Sequence, residues 1–230
     1  MKYRYETHLH TAPVSKCARA TVRQNLEYYK YFEYDGVFIT NHFLDGNINA
    51  DKSLPYADLI NFYFSDYEEA LSIADEIGIR VFLGVELSYK GTDFLVYGLD
   101  KAWFLAHPEI MEMKKSEELA LMASEGALII QAHPFREAAY IDHIRLFPRS
   151  VHGVEVDNGC RTAFENEMAA QYAKNYSLIP FAGTDNHIGF LKVRLCGVEF
   201  DTPIANEADF VERVKSGLAN IFTLDTEDPK

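Results

Sequence analysis

Two histidines one residue apart, His8 and His10 in Thr7-His8-Leu9-His10-Thr11, follow a short extended run, Tyr3-Arg4-Tyr5-Glu6. On an extended chain, residues i and i+2 face the same way. Neutral imidazole is the commonest side-chain ligand of transition metals, so the pair can hold one ion from one side. Further residues of ligand type recur in comparable places. His42 follows Val37-Phe38-Ile39-Thr40-Asn41, and Glu86 follows Val81-Phe82-Leu83-Gly84-Val85. His133 follows Leu128-Ile129-Ile130-Gln131-Ala132, and Asp185 and His187 follow Ile179-Pro180-Phe181-Ala182-Gly183-Thr184. Each stands at or just past the end of an apolar run. The set is nitrogen plus carboxylate oxygen with no thiolate pair, which suits Zn, Mn or Fe ahead of Mg. It holds more ligands than one tetrahedral ion uses, so a carboxylate such as Glu86 can bridge two ions. Two ions a few ångströms apart can generate a hydroxide near neutral pH and stabilise in-line displacement at phosphorus.

The elements that must position these residues are legible as alternating patterns. Strands are expected at Tyr3–Thr7, Gly36–Thr40, Arg80–Val85, Phe94–Gly98, Ala127–Gln131, Gly153–Val156, Leu178–Ala182 and Leu195–Phe200. Several are near-continuously apolar, as buried parallel strands are. Helices are expected from Thr21 to Tyr34, from Ser65 to Ile77 before Gly78, and from Ser116, as a cap, to Gly126. Two more run from Thr162 to Tyr176 and from Asn206 to Ser216 before Gly217. Glycines just past helix ends suit the left-handed closing residue, and acidic first turns suit the helix dipole. Strands alternating with helices predict a parallel sheet, either closed into a barrel or open and doubly wound. No Gly-rich phosphate loop opens the first helix, which argues against a dinucleotide fold. In a parallel barrel the C-terminal strand ends converge on one face, where catalytic groups belong.

The chain has 230 residues, is 48% hydrophobic, and carries a formal net charge of −13. The length suits one domain, taken as residues 1–224, with 225–230 as a polar C-terminal tail. The charge disfavours extended nucleic acid as a partner but not a small anion in a cation-lined cleft. No apolar run has membrane-spanning length, and the start does not read as a signal peptide. The cysteines Cys17, Cys160 and Cys196 suggest no disulfide framework, so a cytoplasmic location is expected. Nothing in the sequence sets an oligomeric state.

Thr7-His8-Leu9-His10-Thr11, Ile39-Thr40-Asn41-His42, Gly84-Val85-Glu86-Leu87-Ser88, Ala132-His133-Pro134-Phe135-Arg136 and Gly183-Thr184-Asp185-Asn186-His187 resemble the successive motifs of the PHP (polymerase and histidinol phosphatase) superfamily. They come in that family's order and cover residues 3 to about 190. Val154-Glu155-Val156-Asp157-Asn158-Gly159 is similar to its penultimate strand segment. The resemblance implies a distorted (β/α)7 TIM-like barrel with two to three divalent ions and metal-dependent hydrolysis of a phosphate ester. It also implies that His8, His10, Glu86 and Asp185 surround one ion, that Glu86 and His133 hold a second, and that His42 and His187 help hold a third. The chain departs from the pattern at three places. Asn41 stands for the usual aspartate, Leu95 for a histidine, and the first loop offers Ser15 and Cys17 where an Asp or His is frequent.

The reading that follows is a phosphoesterase acting on a small phosphomonoester or nucleotide. Glu86, Asp185, His187 and Arg136 are its catalytic candidates, with Arg136 clamping the phosphate through its planar fork. Lys16, Arg19, Arg161 and Arg194 are weaker anion-binding candidates. Cys17 reads as a packed or free thiol before a metal ligand. Glu155 and Asn158 are expected to support ligands or touch substrate. His107, His143 and His152 are expected to be structural or exposed, and the tyrosines around Tyr28 to pack a helix on the barrel. Asn61-Phe62-Tyr63-Phe64 is expected as a buried turn or a lid. Two alternatives stay open: a metal-dependent amidohydrolase, whose barrels also begin with His-x-His, and a degenerate barrel that only binds metal or anion.

Overall fold

The computed structural model describes residues 2–192 and 194–226. Seven strands in chain order form the barrel wall: β1 (Tyr3–Leu9), β2 (Gly36–Ile39), β3 (Arg80–Tyr89), β4 (Thr92–Tyr97), β5 (Leu128–Ala132), β6 (Gly153–Asn158) and β7 (Ile179–Gly183). A final hairpin, β8 (Arg194–Phe200) and β9 (Asn220–Asp225), extends the sheet beyond β1, in the order β7-β6-β5-β4-β3-β2-β1-β8-β9. Helices α1 (Val22–Tyr31), α2 (Tyr56–Ile77), α3 (Lys101–Ala106), α4 (Lys115–Ser124), α5 (Ala163–Tyr176) and α6 (Glu207–Lys215) complete the fold. This is the expected distorted, TIM-like barrel.

The expected all-parallel sheet is corrected at β4. It pairs antiparallel with both β3 and β5, while β1, β2 and β3 are parallel, as are β5, β6 and β7. The cause is local. Lys90 and Gly91 both have positive φ, 52° and 82°, which makes a tight hairpin and leaves no room for a crossover helix. β3 therefore runs on past Glu86 to Tyr89. The connection from β5 to β6 also lacks a helix, and residues 133–152 form a long loop over the C-terminal face.

Other expectations shift at their ends. α2 begins at Tyr56, so Asn61–Phe64 is helical rather than a turn or lid, and Tyr63 and Phe64 are buried in the core. Apolar packing of this segment overrides its weak capping signal. α4 starts one turn position earlier than Ser116, after Lys114, with no side-chain cap. The caps at Thr21, Thr162 and Asn206 each accept a backbone N–H as the helix opens. The strand β9 was not anticipated. It pairs with β8 as far as Asp225, the first residue of the expected tail; residues 227–230 lie outside the described residues.

The barrel interior is filled from below. Phe38, Tyr97 and Phe181 meet Phe210 of α6, with Tyr5 and Phe82 in the same cluster and ring centroids of Phe38 and Phe210 4.3 Å apart. Each fully buried ring stabilises the fold by roughly 1.5–3 kcal/mol. This aromatic floor leaves only the C-terminal face for polar chemistry.

The wall closes between β1 and β7 without a regular ladder. Thr7 Oγ1 donates to Ala182 O at 2.5 Å, Asp185 N to His8 O at 2.8 Å, and His10 N to Asn186 O at 3.0 Å. Gly183 permits this approach, because a Cβ there would stand 2.5 Å from His8 Cβ and 2.9 Å from Glu155 Oε1. Gly183→Ala is expected to destabilise the protein by about 2 kcal/mol, a fall in Tm of roughly 4–8 °C. Thermal unfolding followed by circular dichroism checks this, and an unchanged Tm would mean the seam is not tight.

Candidate metal centre

β1 carries an irregularity that aims His8. Glu6 pairs with Val37 and Leu9 with Ile39, so three steps on β1 face two on β2. Such a bulge strands backbone N–H groups. Glu6 takes them up: its Oε1 accepts Thr7 N at 2.9 Å, His8 N at 2.8 Å and Thr184 N, across the seam, at 2.9 Å. Burial pushes the Glu6 carboxyl up to about 7 against the pull of these donors. One carboxylate oxygen thus ties the segment bearing His8 to the segment bearing Asp185.

The structure brings His8, His10, His42, Glu86, His133, Asp185 and His187 together at one end of the barrel. Glu86 Oε1 lies 3.2 Å from His8 Nε2 and 3.6 Å from His133 Nε2, and Oε2 lies 2.5 Å from His42 Nδ1 and 3.5 Å from His10 Nε2. Asp185 Oδ1 lies 3.4 Å from His8 Nε2, 3.5 Å from His10 Nε2 and 3.4 Å from His187 Nδ1. Three groups have ligand atoms close enough to share an ion: His8, His10 and Asp185; His8, Glu86 and His133; His10, His42 and His187. They parallel the three groupings that the family resemblance implies, with His8 and His10 each reaching into two.

Two of these residues sit on strained backbone. His133 and Asp185 have φ of 24° and 59°, in the region that side chains with a Cβ rarely adopt. The His133 amide is held by Glu155 Oε2 at 3.0 Å, and the Asp185 amide by His8 O. Glu155 also faces His8 Nδ1 at 3.0 Å and accepts from Asn158 Nδ2 at 2.8 Å. This fixes the tautomer that turns His8 Nε2 toward the cluster, the support expected of Glu155 and Asn158.

The departures from the family pattern have structural answers. Asn41 bonds Ser15 Oγ, which sits 3.1 Å from His10 Nδ1, and it also donates to Asp66 Oδ2 at 3.2 Å. Asp66, from α2, is buried beside Thr11 and supplies a carboxylate that Asn41 does not. Leu95 pairs with Glu86 in the β3–β4 hairpin, fully buried on the same face, and brings no donor to the site. The antiparallel strand runs downward from the mouth, so Asp93 lies nearer the mouth than Leu95, paired with Ser88 on one side and with Ala132, just before His133, on the other. Sequence reasoning missed Asp93 and Glu6. Neither stands inside an apolar run that would have marked it: Glu6 lies between Tyr5 and Thr7, and Asp93 between Thr92 and Phe94.

Arg136 lies at the rim, its Nη2 2.9 Å from Asp93 Oδ2 and its guanidinium 5.8 Å from the centre of the Tyr140 ring. With Cys17, His42, Ser88 and His187 it lines a cleft of about 440 Å³. Arg161 and Arg194 are occupied elsewhere, by Glu165 and Asp157. Burial raises the Cys17 thiol, but His187 and His42 beside it pull it down to about 6. His107 stacks on Trp103, His143 is exposed, and His152 accepts from Ile129 N, as expected of structural or surface histidines.

A divalent cation fits this chemistry. Both Glu86 oxygens and His133 Nε2 are buried with no hydrogen-bond partner among the described residues. Burial pulls the His8 imidazole down, yet Asp185, Glu155 and Glu86 outweigh it and hold it well above its ordinary value. Burial acts the same way on His42, and Glu86 and Cys17 outweigh it. Burial raises Glu86, and His42, His8 and His10 bring it well below the usual carboxylate range.

Residues 163–218, from α5 past α6, match a family model described as PHP-associated. Among solved structures, a two-domain protein of Bacteroides vulgatus, described as containing a predicted PHP-like metal-dependent phosphoesterase, aligns at TM-score 0.66 and 14% identity. The alignment covers 96% of this chain and 65% of that one, so this chain spans under two thirds of that protein. PsfC of Pseudomonas syringae aligns at TM-score 0.61 and 17% identity, over 98% of this chain and 92% of its own. An amidohydrolase of Chromobacterium violaceum, with bound sulfate and no metal, aligns at 0.58 and 14%, over 94% and 97%. No curated protein matches the sequence. The fold is the PHP-type distorted barrel. The family match is confined to residues 163–218, the neighbours share the fold, and the cluster offers three groups of side chains that could hold a metal ion. No helix among the described residues is long and apolar enough to cross a membrane.

Metal must displace the protons that His8 and His42 hold in the ion-free cluster, because only neutral imidazole ligates. Their raised affinity for protons makes protons compete with metal, so uptake is expected to release protons and to weaken as pH falls. Titration calorimetry with Mn or Zn in buffers of different ionisation enthalpy measures this; proton release of zero would remove the histidines from the ligand set.

Proposed function

We propose that this protein is a metal-dependent phosphoesterase acting on a small phosphomonoester or nucleotide, with two to three Zn, Mn or Fe ions. The observation that carries the reading is the convergence of four buried histidines, the partly exposed His187, Glu86 and Asp185 beneath a cleft rimmed by Arg136. Divalent ions, when bound, supply a nucleophile at neutral pH and offset charge on the phosphoryl oxygens.

The chain's own groups supply the rest. His8, His10, His42, His133 and His187 are proposed ligands, with Glu86 shared between two ions. Arg136 lines the cleft, where its guanidinium can donate to an equatorial oxygen of the substrate, and its Nε has no hydrogen-bond partner among the described residues. His187 is the cluster histidine most open to the cleft, with a side chain about a quarter exposed, which suits it to hand a proton to the leaving alkoxide. Asp185 holds that imidazole, and the His187 Nδ1 lies 2.9 Å from Asp185 O. The strongly negative surface favours a small substrate over a polymer.

The amidohydrolase reading is kept for one reason, the neighbour of that description. The shared position is occupied by Glu86 and no lysine among the described residues joins the cluster, which favours phosphate chemistry. A chromogenic phosphomonoester with added Mn or Zn, beside amide and lactone panels, separates the two; turnover confined to amides or lactones would overturn the proposal. Glu86→Gln keeps the volume and removes the charge. It is expected to cost at least one ion per chain by elemental analysis and to lower phosphoesterase turnover by roughly two orders of magnitude. Equal metal content and turnover in mutant and wild type would remove the bridge.

A further inference from the structure

The cluster is not chemically uniform. At one pole, His10, His42 and His187 present three nitrogens to one another, with imidazole centroids of His10 and His187 4.1 Å apart and of His10 and His42 4.3 Å apart. At the other pole a single nitrogen, His133 Nε2, is ringed by carboxylate oxygens: Glu86 Oε1 at 3.6 Å, Asp185 Oδ2 at 3.8 Å and Asp93 Oδ2 at 3.9 Å. These separations are too long for hydrogen bonds. Two ligand atoms bound at about 2.1 Å to one ion stand about 3–4 Å apart.

Asp93 is 3% exposed, and its Oδ2 makes no aligned hydrogen bond. The facing His133 Nε2 and Glu86 Oε1 are orphaned in the same way. Register explains how Asp93 comes there. In the β3–β4 hairpin Ser88 pairs with Asp93 and Glu86 with Leu95, so all four share the barrel-facing side, with Asp93 nearer the mouth. Arg136 Nη2 offsets the charge from outside, 2.9 Å from Oδ2. It leaves three buried carboxylates converging on one imidazole.

We propose that Asp93 is a ligand of the ion held by His133 and Glu86, making that pole oxygen-rich and selective for a harder ion than the three-histidine pole. The cluster then sorts metals: Mn at the carboxylate pole and Zn at the histidine pole, because oxygen donors suit Mn while imidazoles suit Zn. The inference rests on the cluster binding metal. It does not rest on the phosphoesterase reading, and its test reads metal alone.

The experiment offers equimolar Zn and Mn to metal-stripped wild type, Asp93→Asn and Asp93→His, removes free ions, and measures bound metal by mass spectrometry and Mn by electron paramagnetic resonance. Wild type is expected to retain about one Mn beside Zn, and Asp93→Asn to bind Mn at least about tenfold more weakly while keeping its Zn. Asp93→His supplies a nitrogen in place of the oxygen and is expected to exchange Mn for Zn. Circular dichroism establishes that each variant is folded, and Asp93→His keeps the proposal open to refutation should Asp93→Asn misfold. Unchanged Mn in the folded variants would make Asp93 only the counterion of Arg136 and overturn the proposal. Wild type that takes up Zn alone would overturn the sorting, and wild type that binds neither would overturn the ligand assignment with the metal centre itself.

Discussion

Everything at the open end of this barrel depends on Glu86. Its two oxygens are buried and unpaired by hydrogen bonds, yet they stand within 3.6 Å of four imidazoles. A buried carboxylate left alone is costly, by several kcal/mol even after relaxation. Positive charge must therefore be present around it, as protons on histidine or as cations. Protons alone crowd like charges: burial and the neighbours His187 and His42 drive His10 well below its ordinary value while His8 and His42 go up. Divalent ions remove that conflict, because each neutral imidazole then contributes a lone pair and no charge.

The scaffold is arranged to hold these groups at a fixed spacing before any ion arrives. The aromatic floor under the site is apolar apart from the hydroxyls of Tyr5 and Tyr97, which are satisfied by Ile204 N and Thr7 O. Where regular pairing would misplace a ligand, the backbone departs from it. The bulge in β1 turns His8, the positive φ of His133 and Asp185 turns two others, and a single oxygen of Glu6 satisfies the amides that this leaves exposed. Strain of about 1–3 kcal/mol at such residues persists only where surrounding contacts over-determine them. The close seam at Gly183 and the Glu155 carboxylate between His8 and His133 provide those contacts.

Charge is also moved between elements without being lost. Asn41 is neutral where the family resemblance implies an aspartate, and Asp66 of α2 brings a carboxylate to the same hydrogen-bonded group from the far side. Leu95 is apolar where a histidine is implied, and Asp93 stands at the mouth two residues earlier on the same face. A chain read position by position registers two losses; in the fold, the carboxylates of Asp66 and Asp93 lie close to both places.

The order of strands β1–β3 and β5–β7, the helices capped by Thr21, Thr162 and Asn206, and the seven residues that converge were legible from apolar runs and His or acidic residues at their ends. That holds because burial forces continuous apolar stretches, and a parallel strand can place a ligand only at its end. The direction of β4 was not legible, since an apolar run looks the same in either orientation and only the pairing of Lys90-Gly91 geometry with β5 decides it. For the same reason Leu95 and Asp93 could not be ranked: which of two residues on one face reaches the mouth depends on register. Glu6 and Asp66 were hidden because a buried carboxylate is identified by its partners, and those lie on strands and helices far away in sequence. Spacing placed candidate metal ligands at strand ends, and the family resemblance implied the barrel; which carboxylates face which imidazoles was decided by tertiary pairing, through hydrogen bonds and steric fit that no local pattern encodes.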